Sequence, residues 1–91
     1  YLRKVAYKIK RDFINKLEIE KELNNIKNYY YEILEKKGYG AYASPHEILG
    51  SITEEYLELC YAIKVDDKNN TRDELIDIAV VCIFGCVCLK K

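Results

Sequence analysis

At 91 residues and 10.7 kDa the chain makes one small domain, too short to pair with a second active domain of the kind most cofactor-dependent enzymes use. Its composition, 49% apolar and 33% charged, argues against disorder, and one Pro with four Gly leaves little punctuation for a turn-rich β-sandwich, so long helices are expected. Fifteen basic and fifteen acidic side chains cancel, which removes the basic balance of a dedicated nucleic-acid binder, and no nucleic-acid partner is expected. The cancellation is uneven: residues 1–40 hold ten Lys/Arg against six Asp/Glu, whereas residues 41–91 hold five against nine.

In chain order, the first ten residues carry Arg3, Lys4, Lys8 and Lys10 and no apolar run of signal-peptide length, which predicts a cytoplasmic protein. Leu2, Val5, Ile9, Phe13 and Leu17 recur at helical spacing, and Leu23, Ile26, Tyr30 and Ile33 resume it after Ile19. The pattern allows one rod or two helices broken near Asn15 or Asn24-Asn25, with a stop at Gly38 and Gly40. Tyr29, Tyr30, Tyr31, Tyr39 and Tyr42 crowd this region, where packing between helices is favoured over stacking on a base.

Ser44-Pro45-His46-Glu47 reads as a capping box with Pro in the first turn. It opens a helix whose stripe, Ile48, Ile52, Tyr56, Leu59 and Ile63, runs to about Lys64. Residues 65–70 read as a polar connection, and Thr71 to Glu74 as a second capping box. The last helix is apolar almost all round, from Leu75 to Leu89, which predicts a central position in an assembly. Its apolar run, broken by Gly85, is too short to cross a bilayer, so no membrane partner is expected. Cys60, Cys82, Cys86 and Cys88 lack the spacing of a zinc site and are expected as small core residues in a reducing compartment. With no repeat or domain boundary evident, residues 1–91 read as a single all-α domain, and a core this small calls for a partner subunit or a metal.

The acidic half carries the chemistry. Glu55 and Glu58 lie three apart and flank the apolar stripe of their helix, and Glu74 and Asp77 repeat that spacing on the next. Asp77 sits among Leu75, Ile76, Ile78, Ala79 and Val81, where an ionised carboxylate costs several kcal/mol unless it is paired or binds a cation. Folding the two helices into an antiparallel pair brings all four acids toward one space. A hard divalent ion with oxygen ligands relieves their repulsion, and Mg²⁺, with Mn²⁺ as a substitute, leaves room for a phosphate co-ligand. The competing view is that Glu55 and Glu58 form a solvated flank and Glu74 merely completes a capping box. A di-iron bundle needs two Glu-x-x-His pairs, which His46 alone cannot supply.

Glu54-Glu55-Tyr56-Leu57-Glu58, followed after fifteen residues by Glu74-Leu75-Ile76-Asp77, resembles the E-x-x-E and E-x-x-D signature of the MazG-like all-α nucleotide pyrophosphohydrolases. The likeness covers residues 44–84. It implies a Mg²⁺-dependent cleavage of (d)NTP between the α and β phosphorus to (d)NMP and pyrophosphate, with Glu55, Glu58, Glu74 and Asp77 as metal ligands. Glu55 or Glu58 would also accept the proton of the attacking water. It further implies a helical bundle whose four-helix core, built round a central antiparallel pair, is completed by a homodimer or homotetramer, and a role in clearing non-canonical nucleotides. Lys68 and Arg72, with His46 a weaker candidate, are the expected substrate contacts. Two departures stand out. Where many relatives carry Asn, Lys or Arg beyond the second motif, this chain has Val81, Phe84, Gly85 and Val87. Ser51, Ile52 and Thr53 replace the Lys and Gly of phosphoribosyl-ATP pyrophosphohydrolases, which disfavours that branch. The alternative reading is a non-catalytic helical oligomerisation or nucleotide-sensing module that keeps the bundle.

Overall fold

A computed structural model describes residues 13–38, 40, 41 and 43–91. It is all-helical over these residues, with α1 (Lys16–Lys37), α2 (Pro45–Lys64) and α3 (Lys68–Cys88) in that order. Two compact units divide the chain: α1 lies in the one spanning residues 9–40, and α2 and α3 lie in the other.

Helix α1 starts where Asn15 accepts from the Glu18 backbone N–H (2.9 Å) and the Glu18 side chain accepts from that of Asn15 (3.2 Å), a reciprocal capping box. Of the two candidate breaks, Asn15 is therefore the start, and the helix continues through Asn24-Asn25. Phe13 and Ile14 precede the helix and are exposed, so the periodicity read through Phe13 overshoots it; Leu2, Val5 and Ile9 lie outside the described residues. Gly38 ends the helix at φ +89°, a left-handed conformation that a Cβ disfavours, and its N–H donates to the Leu34 carbonyl at 2.8 Å. Ile26, Tyr30, Ile33 and Leu34 are half-buried, but no residue of α1 is fully buried. Tyr29 and Tyr31 are exposed, and Tyr39 and Tyr42 are not among the described residues.

Helix α2 begins as expected at Ser44, whose side chain accepts from the Glu47 N–H at 3.4 Å, with Pro45 supplying the first turn. The reciprocal half of the box differs: the Glu47 carboxylate accepts from the N–H of Ala43, one residue earlier. The connection to α3 is shorter than the sequence suggested. It spans residues 65–67, with Asp66 at φ +63°, a conformation that Asp tolerates better than most side chains. The cap of α3 is Asp67, which accepts from the Asn70 N–H at 3.0 Å, and not Thr71. Thr71 is already inside the helix, buried, and its hydroxyl donates to the Asp67 carbonyl at 2.7 Å.

This correction repositions Glu74. With the cap one turn earlier, Glu74 caps nothing and turns toward α2. The two helices pack closely: Gly85, near the end of α3, faces Ile48, near the start of α2, and a Cβ on Gly85 would stand 3.1 Å from the Ile48 Cγ2. Ala62 is the most deeply buried residue of α2. The stripe that meets α3 is turned from the one predicted: Ile48, Ile52, Leu59 and Ile63 are half-buried as expected, but Tyr56 is exposed, while Ser51 and Glu55 are half-buried and Ala62 is buried. The small side chains of Ser51 and Ala62 on α2 and the bare backbone of Gly85 on α3 permit the close approach.

Helix α3 departs from the expectation of an all-round buried helix. Val80 and Gly85 are buried, but Leu75, Ile83, Val87 and Leu89 are exposed. The cysteines also depart from it: Cys60, Cys82 and Cys86 are exposed and Cys88 is half-buried. Among the described residues no helix is long and apolar enough to cross a membrane. Replacing Asp67 by Ala is expected to cost about 1 kcal/mol, read as a lower urea midpoint with an unchanged slope. An unchanged midpoint would mean that α3 does not start at this cap.

Candidate metal centre

Position along the helices and the turned packing face bring Glu55 and Glu58 of α2 together with Glu74 of α3. Each offers a carboxylate oxygen, and the three oxygens lie within 4.8 Å of one another. Burial is graded across them. Glu74 is 8% exposed, Glu55 is half-buried and Glu58 is exposed, so the group runs from the helix interface to solvent. Glu55 was expected to flank the apolar stripe; its place within the stripe follows from the rotation that leaves Tyr56 outside.

Packing carboxylates this way is unfavourable without compensation. The Glu55 side chain is held up to about pKa 7 from an ordinary 4.5, first by burial, then by the charges of Asp77 and Glu58, and further by a hydrogen bond to Glu74. Glu74 is also raised, by burial first and then by the Glu58 charge, while the hydrogen bond from Glu55 pulls the other way. Both carboxyl groups are thus pushed toward their protonated forms, and the hydrogen bond between them requires one of the two to carry the proton. That contact leaves Glu55 Oε2 and Glu74 Oε1 buried with no hydrogen-bond partner. Buried acceptors left in this state cost on the order of 1–3 kcal/mol each.

Asp77, predicted as a fourth ligand, is half-buried one turn further along α3 and is not one of the three whose oxygens converge. Its charge nonetheless bears on both Glu55 and Glu74. The expected substrate contacts lie outside the group. His46 is exposed in the first turn of α2, about 13 Å along the axis from Glu55. Arg72 is exposed and about 200° round α3 from Glu74, and Lys68 is exposed in the first turn. An open depression of about 360 Å³ on α2 is lined by Glu47, Gly50, Ser51 and Glu54, a set that adds acidic groups and no basic one among the described residues. Neither His46 nor any cysteine joins the converging group. Comparison of the chain with family models, with curated proteins and with solved structures finds no match.

The donor set fits a hard divalent cation: the ligands are all carboxylate oxygens, and two buried oxygens lack partners. The same set makes stability depend on pH. Between pH 4.5 and about 7 the folded chain keeps a proton on Glu55 that the unfolded chain has lost, so stability falls as pH rises through that window and the penalty is complete above it. The cation-free protein is expected to be more stable at pH 5 than at pH 8. Glu55→Gln should flatten that dependence and raise the melting temperature at pH 8; a variant as pH-dependent as the parent would place the proton elsewhere.

Proposed function

We propose that the chain is a Mg²⁺-dependent nucleoside triphosphate pyrophosphohydrolase of the MazG-like kind, converting (d)NTP to (d)NMP and pyrophosphate in the cytoplasm and so clearing non-canonical nucleotides. The observation that supports this reading best is the meeting of Glu55, Glu58 and Glu74, with two buried oxygens unpartnered, at the positions where the E-x-x-E and E-x-x-D resemblance puts metal ligands. Mn²⁺ would substitute for Mg²⁺. In the same reading the α2–α3 hairpin is the central antiparallel pair of a four-helix core completed by a second or further copies.

Each side chain then has a distinct task. Glu74 is fixed by its burial and anchors the ion from the α3 side. Glu58, exposed at the mouth, holds the ion where a phosphate reaches it, and Asp77 adds negative charge from the next turn. A cation held by these carboxylates would supply the charge that neutralises the triphosphate and lowers the pKa of the attacking water. Glu55, beside the oxygens of Glu58 and Glu74, is placed to receive the proton of that water. No side-chain nucleophile is required. Lys68 and Arg72 supply positive charge from the first turns of α3 for the phosphates, and His46 is the weaker candidate for the same task.

A second reading has its own support. Where relatives carry a substrate-binding residue beyond the second motif, Gly85 of this chain packs on Ile48. That region serves helix packing, which favours a non-catalytic module that retains the bundle and senses nucleotide or assembles.

The two readings separate in one assay. Pyrophosphate release, detected as phosphate after inorganic pyrophosphatase is added, is expected with Mg²⁺ for at least one member of a (d)NTP panel. Release from none favours the non-catalytic module. Glu58→Ala and Asp77→Ala should each lower turnover at least about a hundredfold with folding retained, and turnover kept by either removes that residue from the assignment. Millimolar Mg²⁺ should also raise the melting temperature at pH 8, because it relieves repulsion present only in the folded state. An unchanged melt counts against the metal.

A further inference from the structure

One glycine of the hairpin has no packing role. Gly85 of α3 is bare because Ile48 stands against it, but Gly50 is exposed within α2, and a Cβ there would meet nothing within 4 Å among the described residues. Its backbone is ordinary helix, so no left-handed turn calls for glycine either. In a helix interior only proline is less favourable than glycine. What glycine supplies at this position is open space on the surface of the helix.

That space is the depression of about 360 Å³ lined by Glu47, Gly50, Ser51 and Glu54, within the ~300–1,000 Å³ range of small-molecule sites. Glu47, Ser51, Glu54 and Glu58 follow at intervals of four, three and four, so all four share one side of α2. Glu58 therefore stands one turn past the depression, ~6 Å along the axis from Glu54. Beside Glu58 lies Glu74, 8% exposed and with one buried oxygen unpartnered. A ligand whose charged end is held at this acidic group reaches the depression along the same side of the helix.

Charge decides which end of a nucleotide would lie there. Two carboxylates with no basic residue in the lining repel phosphate oxygens, so the phosphates stay with the cation and the uncharged end extends toward Gly50. Carboxylates only accept hydrogen bonds. One Glu47 oxygen already accepts from the Ala43 N–H, whereas Glu54 is exposed. A base edge with an exocyclic amino group, as on cytosine or adenine, suits such a lining. Uracil and hypoxanthine turn a carbonyl oxygen to the same place, acceptor against acceptor.

We infer that the depression at Gly50 is a base subsite for nucleotides that carry an exocyclic amino group, with Glu54 accepting from that group and the bare backbone of Gly50 leaving room for the ring. The inference rests on the nucleotide reading above and narrows it: nucleotides that keep the amino group are taken, and deaminated ones are poor ligands.

Calorimetric binding of hydrolysis-resistant α,β-imido analogues with Mg²⁺ present tests this whether or not the chain turns nucleotides over. The dCTP and dATP analogues are expected to bind at least about tenfold more tightly than those of dUTP and dITP, their deaminated partners. Glu54→Gln, which offers a donor beside its acceptor, should bring that ratio below about threefold. Gly50→Leu puts a better helix former into open space and should fold. It is expected to keep the Mg²⁺-induced rise in melting temperature while weakening the dCTP analogue at least about tenfold. Equal affinity for all four analogues, a ratio that Glu54→Gln leaves intact, or parental binding by Gly50→Leu would overturn the subsite and leave the nucleotide reading in place. Binding of none of the four, with the Mg²⁺ effect on melting intact, would instead remove the nucleotide reading and the subsite with it.

Discussion

The packing of Glu55 against Glu74 across the α2–α3 hairpin is the constraint on which the rest of the structure turns. Two carboxyl groups, one on each helix, occupy an interface that an ordinary core would fill with apolar side chains. They do so by sharing a proton, and they leave an oxygen each without a partner. Such an arrangement is unfavourable for folding and favourable for holding a cation, since the ion supplies what the protein withholds. The structural details nearby serve this contact. The Asp67 cap sets where α3 begins, and the small residues Ala62 and Gly85 bring the helices close enough for the acids to meet.

Marginal stability and function are linked here. A 91-residue chain has little core to spare, and among the described residues the buried apolar side chains are Ala62 and Val80. To that shortage it adds a destabilised acidic group.

Much of this was legible in the residues, and the gaps have physical causes. The start of α2 was evident because Ser-Pro at a helix entry has few other meanings, and Gly38 ended α1 as a left-handed glycine does. The three-residue spacing of the acids was enough to put them on one side of each helix. The start of α3 was misread because Asp67, Asn69, Asn70 and Thr71 are all competent caps, and only the tertiary fold chooses between them. The orientation of α2 was misread because Tyr56 scores as apolar in a periodicity, whereas close packing selects by size; Ser51 and Ala62 won the interface and carried Glu55 in with them. The cysteines were expected inside because the residue type usually is, but the packing of α2 on α3 leaves Cys60, Cys82 and Cys86 exposed and Cys88 half-buried. Asp77 remains near the group without joining it, a distinction of one helical turn that spacing alone does not make.

The central claim is that folding forces Glu55 to hold a proton that a cation would displace. Carboxyl carbon NMR of the ¹³C-labelled chain, titrated from pH 4 to 9 with and without Mg²⁺, measures this directly. The account predicts a Glu55 resonance with a midpoint near 7 in metal-free protein, moving to lower pH when Mg²⁺ is added. A Glu55 midpoint at the ordinary 4.5 that Mg²⁺ does not move would contradict it.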